Sequence, residues 1–337
     1  TKLTERIFQD FFPPPKFLEM PAVGLDISDS AITALELVRM RGAFVVGHFG
    51  RRPLPHGAIV DGYVHEKEQV IVELRRLKEE LRFSRVNATL PEEKAYLYNT
   101  KVPLVSPKEM RDAIEFTLEE NVPLSPEKAF FDYTVIRSSS SSPGDSAEVS
   151  VTVLPRTVVS TYVELFHAAR IAPLSFELRA QAVCRAVIPQ GGRGSYLVAD
   201  VGEDKTGLFI ASAGAVDFTA MIALGGAAIG KSLAEQSPPV DSVAALHAEI
   251  VKHLTYWRTH AGGAGGAESA VLKIVLCGRA AALPGFGESL SRLLALPVLV
   301  ANVWCNVCSF DEYIPPILYE ESLDYAAAAG AALPKSQ

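Results

Sequence analysis

Two aspartates stand at the tips of matching strand–turn–strand stretches. Asp26 lies in AVGLDISDSAITALELV, which begins at Ala22, and Asp200 lies in YLVADVGEDKTGLFIASAG, which begins at Tyr196. In each, an apolar strand ends on Asp, passes one apolar and one small residue, makes a short polar turn and returns as a second strand. Two carboxylates facing each other across a cleft suit Mg²⁺, which takes carboxylate, phosphate and water oxygens. A glycine in such a turn lets backbone N–H groups approach phosphate oxygens with no Cβ in the way. A single aspartate of this kind would most simply close an Asx-turn. A matched pair in a duplicated frame points instead to a nucleotide-phosphate site between two hairpins.

Other residue patterns carry less. GGAAIGKS, Gly225 to Ser232, satisfies the P-loop spacing, with Lys231 and Ser232 in the expected places. A P-loop needs a substantial helix after its lysine, yet SLAEQSPP meets two prolines within two turns. It also needs a later apolar strand ending on an aspartate, whereas KIVLCG and PVLVANV end otherwise. Cys305 and Cys308 form a C-x-x-C with no second ligand pair nearby, so the reading is structural cysteines in a reducing compartment. His247, His253 and His260 are spaced six and seven apart on one helix, which does not set them up as metal ligands.

These aspartates require elements to hold them apart and facing. Ala22 to Arg52 reads as three strands, with Arg41-Gly42 at the second turn. A helix follows, carrying Val70, Leu74, Leu77 and Leu81 on one face and charge on the other. From Val86 the pattern changes to short strands and a well-marked helix. There Ser106 is the N-cap, Pro107 opens the first turn and Glu109 completes a capping box. A serine-rich stretch, SSSSSPGDSA, reads as a solvated connection within this α+β unit. The second half repeats the first: strand, Asp turn, strand, glycine turn, strand, helix. Leu246, Ile250, Leu254 and Trp257 then form one apolar stripe. AGGAGGAE separates that helix from a buried strand, and the chain closes on an alanine-rich helix. Such internal repetition decides fold more firmly than any one motif.

Composition sets the outer bounds. The chain has 337 residues and a net charge of −7, enough length for two core-bearing lobes. It has no basic stripe interleaved with aromatics, which argues against nucleic acid as partner. No apolar run reaches the roughly 18 to 20 residues of a membrane span, which argues against direct membrane insertion. The start, TKLTERIFQDFFPPPKFLEMP, lacks the order of a signal peptide and reads as an extension.

The two Asp hairpins, the glycine turn after KIVLCG and the α+β insertion resemble the actin-like ATPase superfamily. The blocks LPHGAIVDGYV, ENVPLSPEKAFFDYTVI, VTVLPRTVVSTYVELFHAARIAPLSFEL and VLCGRAAALPGFGESLSRLLALPVLVANVW resemble, in order, the PilM-like type IV pilus assembly proteins, relatives of FtsA. The resemblance runs from Ala22 to Leu333. It implies an α/β, duplicated actin-like (ribonuclease H-like) fold of two lobes with an α+β subdomain inserted in the first. The ranges expected are 1–21 for the extension, 22–85 and 171–194 with a C-terminal helix at 320–335 for the first lobe, 86–170 for the insertion and 195–319 for the second lobe.

The function implied is a cytoplasmic adaptor of a type IV pilus, secretion or competence machine, peripheral to the inner membrane. Its partner would be a PilN-type inner-membrane protein, held by its cytoplasmic N-terminal tail. Self-association and contact with cytoplasmic pilus ATPases are further partners the resemblance admits. ATP and Mg²⁺ are the implied cofactors, with Asp26 and Asp200 as metal residues. Nucleotide contacts would come from Asp26, Ser28, Ser30, Asp200, Gly202, Lys205, Thr206, Gly225, Gly226, Gly278 and Arg279. Departures from the family pattern weaken this expectation: Ser28 stands in place of a glycine, Thr33 in place of a lysine, Lys205-Thr206 in place of two threonines and Arg279 in place of a second glycine. They imply weak nucleotide binding, at most a weak ATPase, and no assigned catalytic residue. A nucleotide-free scaffold, a small-molecule kinase of the same superfold and an FtsA-like division protein are the alternatives.

Overall fold

A computed structural model describes residues 22–40, 43–138, 146–192, 194–212, 215–235, 242–260 and 271–335. The N-terminal extension, the Arg41-Gly42 turn, most of the serine stretch, the Pro238-Pro239 pair and AGGAGGAE lie outside the described residues.

The apolar run at Val23–Ile27 forms β1, buried along its whole length because it is the central strand of a sheet. It is followed by β2 (Ala31–Met40) and β3 (Ala43–Pro53), each antiparallel to the last. A small hairpin, β4 (Ile59–Val60) and β5 (Tyr63–Val64), leads into α1 (Lys67–Leu81). The predicted stripe Val70, Leu74, Leu77 and Leu81 is the buried face of α1. Then β6 (Arg85–Leu90) pairs parallel with β1.

The inserted unit comprises β7 (Tyr96–Pro103), α2 (Pro107–Phe116), α3 (Leu118–Asn121), β8 (Ala129–Ser138) and β9 (Ser146–Pro155). Its three strands run in the order β7-β9-β8. Ser106 and Glu109 make the predicted capping box at the start of α2. Val102, Met110, Ile114, Leu118, Val149 and Val151 belong to a core of its own. Next, α4 (Arg156–Ala168) returns to the first lobe, where β10 (Ala172–Leu178) pairs parallel with β6. The insertion is therefore shorter than the expected 86–170. At one end β6 is a strand of the first sheet; at the other Val158, Tyr162, Leu165 and Phe166 of α4 pack into the first-lobe core.

After α5 (Arg179–Val187), the second sheet is built from β11 (Ser195–Val201), β12 (Thr206–Ser212) and β13 (Ala215–Ile222). It is completed, after α6 (Gly226–Glu235) and α7 (Ser242–His260), by β14 (Val271–Cys277), α8 (Phe286–Leu294) and β15 (Val298–Val300). The orders β3-β2-β1-β6-β10 and β13-β12-β11-β14-β15 match strand for strand in position and direction. The repeat read from sequence is thus a repeat of topology.

The chain ends on α9 (Tyr319–Ser322) and α10 (Ala326–Ala332). Two helices cross between the lobes. Ala180, Val183, Cys184 and Val187 of α5 are buried in one core with Leu197, Val198, Leu208 and Phe209 of the second sheet, so the expected 171–194 segment divides between lobes. Conversely, α10 lies on β1, β2 and β6 of the first sheet. The two helices touch backbone to backbone: a Cβ on Gly330 would sit 1.8 Å from the carbonyl oxygen of Ala182.

Candidate functional site

Asp26 and Asp200 occupy equivalent places near the carboxyl ends of the central strands β1 and β11. Asp26 is opposite Thr33 in β2, and Asp200 is opposite Gly207 in β12. Both are buried, at 2 % and 7 % exposure. The crevice beyond such strand ends is where open α/β sheets place ligands. The two residues are brought together, as the matched hairpins predict, but a guanidinium stands between them. Arg179, the first residue of α5, donates from Nε and Nη2 to Asp200 Oδ2 at 3.0 and 2.9 Å, and from Nη1 to Asp26 Oδ2. Thr89 of β6 donates to Asp26 Oδ1 at 2.6 Å. Burial works against the charge on Arg179, yet the Asp200 and Asp26 carboxylates it bonds hold it firmly protonated.

A second cation closes the mouth. Lys205, in the turn after Asp200, reaches from the second lobe to Asp29 at 2.6 Å, Asp61 at 3.5 Å and Glu93. Burial opposes its charge as well, and Glu93 and Asp29 outweigh that. Beside them, Glu92 is 6 % exposed and its Oε2 has no hydrogen-bond partner. Burial first, then the neighbouring Glu93, pushes its carboxyl well above the ordinary range. Tyr162 of α4 is buried, and burial, then the charge of Glu93, Asp29 and Asp26, pushes its phenol up.

The remaining predicted contacts are engaged with the protein itself. The Ser28 hydroxyl donates to the Ala31 carbonyl at 3.0 Å and accepts from the Ala31 N–H at 3.1 Å, closing its own turn. The Ser30 carbonyl accepts from the Leu54 N–H at 2.8 Å. The Gly202 N–H donates to the Lys205 carbonyl at 2.9 Å, and the buried Thr206 hydroxyl to the Leu224 carbonyl at 2.7 Å. At the start of α6 the Gly226 and Ala227 N–H groups donate to the carbonyls of Gly202 and Glu203, with Gly225 packed against the latter. Lys231 and Ser232 sit within this helix rather than after a phosphate loop, so the P-loop spacing is coincidental. Gly278 has φ +78°, and a Cβ there would meet the Val201 carbonyl at 2.3 Å. Arg279 pairs with Asp324, beside Arg51.

This arrangement does not fit Mg²⁺-phosphate binding. The two carboxylates assigned to the metal both serve Arg179, several of the turn N–H groups are satisfied internally, and Asp29 and Glu93 add negative charge at the mouth. Among the described residues no three His, Cys, Asp or Glu side chains are grouped to hold a metal ion. In this structure Asp26 and Asp200, the residues expected to hold a metal, are both ion-pair partners of Arg179. Both C-x-x-C thiols are held by packing: Cys305 Sγ lies 3.1 Å from the Ala186 carbonyl, and burial pushes its thiol up to about 11. A thiol so placed is a poor nucleophile near neutral pH.

Sequence reasoning missed Arg179, Glu92 and Glu93. A signal was present in PLSFELRAQAVCRAVI, where Glu177, Arg179 and Arg185 interrupt an apolar run. Charges so placed are buried only when paired. Arg185 pairs with Glu177, and Arg179 with the two aspartates.

A family model described as type IV pilus assembly protein PilM matches residues 24–255. No curated protein matches the chain. Among solved structures, one described as a PilM-PilN type IV pilus biogenesis complex aligns with a TM-score of 0.76 at 20% identity, covering 93% of this chain and 98% of the other. The ethanolamine utilization protein EutJ from Carboxydothermus hydrogenoformans aligns at 0.50 and 15% identity, covering 95% and 90%. These likenesses fix the actin-like fold. Among the described residues no helix is long and apolar enough to cross a membrane. Because the family match spans more than half of the sequence, the chain belongs to the PilM family of type IV pilus assembly proteins.

Proposed function

We propose that this chain is a cytoplasmic adaptor of type IV pilus assembly that holds the N-terminal tail of a PilN-type inner-membrane protein on its inserted subdomain. The observation that carries the reading is an apolar side chain on the wrong face of a helix. In α2 the buried stripe is Met110 and Ile114, whereas Phe116, on the solvated side, is 86 % exposed. It lines a shallow, open depression of about 410 Å³ together with Asp112, Glu115, Glu119 and Pro126. Leu104 and Val105, just before the capping box, are exposed apolar residues of the same subdomain.

An aromatic anchor ringed by carboxylates suits a short peptide carrying apolar and basic side chains. The cytoplasmic flank of an inner-membrane span has that chemistry, because Lys and Arg accumulate on the inner side. The fold likeness to a PilM-PilN complex supports a partner of this kind. Localisation follows from it: the adaptor sits at the inner membrane through its partner.

The test is fluorescence anisotropy with a labelled peptide of the PilN-type tail. Phe116→Glu should weaken binding by at least about tenfold, a loss of about 1.4 kcal/mol. Unchanged affinity in that variant would move the docking site off α2.

A further inference from the structure

We propose that Arg179 is a tethered counter-ion standing where a divalent cation was expected, so that the lobes are clamped shut by the chain's own charges without nucleotide. Asp26 belongs to the first sheet and Asp200 to the second, and Arg179 starts the helix that crosses between them. Three of its five N–H donors are spent on the two carboxylates. The planar fork gives it directed bonds that a lysine could not reproduce.

Lys205 adds a second bridge in the opposite sense, from the second lobe to Asp29, Asp61 and Glu93 of the first. The cleft is therefore spanned at its floor and at its mouth. Admitting a Mg²⁺-polyphosphate would require Arg179 to leave both aspartates. It would also bring a net negative ligand against Asp29, Asp61 and Glu93. Breaking a buried pair on one side is costly because the other charge is stranded. Nucleotide is thus excluded by occupancy of its cation position and by charge at its phosphate position.

The proposal is tested on the full chain by calorimetric titration with Mg-ATP and Mg-ADP, and by thermal melts with and without Mg²⁺. Wild type should show no saturable binding tighter than about 1 mM, and its Tm should not move with Mg²⁺. Arg179→Ala leaves two facing carboxylates and should lower Tm by roughly 5–10 °C. Mg²⁺ should recover part of that loss in the variant alone. Arg179→Lys keeps a cation but not the fork, and should fall between the two with no Mg²⁺ response. If Arg179→Ala does not fold, the lysine variant and the wild-type titration carry the test. Saturable sub-millimolar Mg-ATP binding by wild type, or a wild-type Tm in Arg179→Ala or Arg179→Lys, would overturn the clamp. Tail-peptide affinity of wild type, measured with and without Mg-ATP, should be equal, and its loss in Phe116→Glu alone separates the docking site from the clamp.

Discussion

Glu92 is buried next to Glu93, with one carboxyl oxygen unpartnered. Burial and then Glu93 raise its carboxyl well above 4.5. Between the unfolded and folded values the native state binds a proton that the unfolded chain has released. Stability from this group is therefore full below about 4.5 and drains as pH rises toward the folded value. Glu92→Gln removes the drain by fixing a neutral, hydrogen-bonding side chain. Its Tm relative to wild type should be higher at pH 7.5 than at pH 4 by a few degrees, about 2–4 °C. Melts at the two pH values check this, and an identical difference at both would show that Glu92 is ionised in the fold. Such a residue is hard to read from EEK in a sequence, because paired glutamates are usually a solvated face. What makes it an interior group is β13, more than a hundred residues away in sequence, packing on the turn that carries it.

At the scale of elements, the crossing of α5 and α10 turns on Gly330. Two effects compete there when it becomes alanine. Helix propensity favours alanine over glycine by about 1 kcal/mol. Against that, the new Cβ would fall 1.8 Å from the Ala182 carbonyl, backbone that cannot swing aside, and overpacking costs typically 1–3 kcal/mol, more when backbone must move. The steric term wins, so Gly330→Ala should destabilise by about 1–2 kcal/mol in denaturant unfolding; a stabilised variant would mean that the helices separate freely. What was legible here follows from local rules. The capping box at Ser106 and Glu109, the α1 stripe and the Leu246 to Trp257 stripe are set by spacing within one helix, and spacing is written in the sequence. The partner of a helix is not. The apolar faces of α5 and α10 look alike whether they cover their own lobe or the other, which is why the segment after β10 was expected in the first lobe alone. The aspartate hairpins were legible for the same local reason, whereas Arg179 bonds across a sequence separation of 153 residues to Asp26.

Over the whole molecule, each sheet has one face covered by a helix encoded with the other half, since α5 packs into the second core and α10 lies on the first sheet. A chain ending at Leu318 would strip α10 from β1, β2 and β6 and expose their apolar face. Amide hydrogen exchange should then be accelerated in β1 and β6 while β11 to β13 keep more of their protection; equal protection in both sheets would sink this asymmetry. The arrangement also sets an order of events during synthesis. The strands around β1 are complete once Leu90 has been made, but the helix that covers them is finished only at Leu333. At translation rates of about 5–20 residues per second that interval lasts roughly 10 to 50 s. For that time the nascent first lobe carries an uncovered hydrophobic sheet, so it is the half of the protein that a ribosome-associated chaperone would hold, and the half that matures last although it is made first.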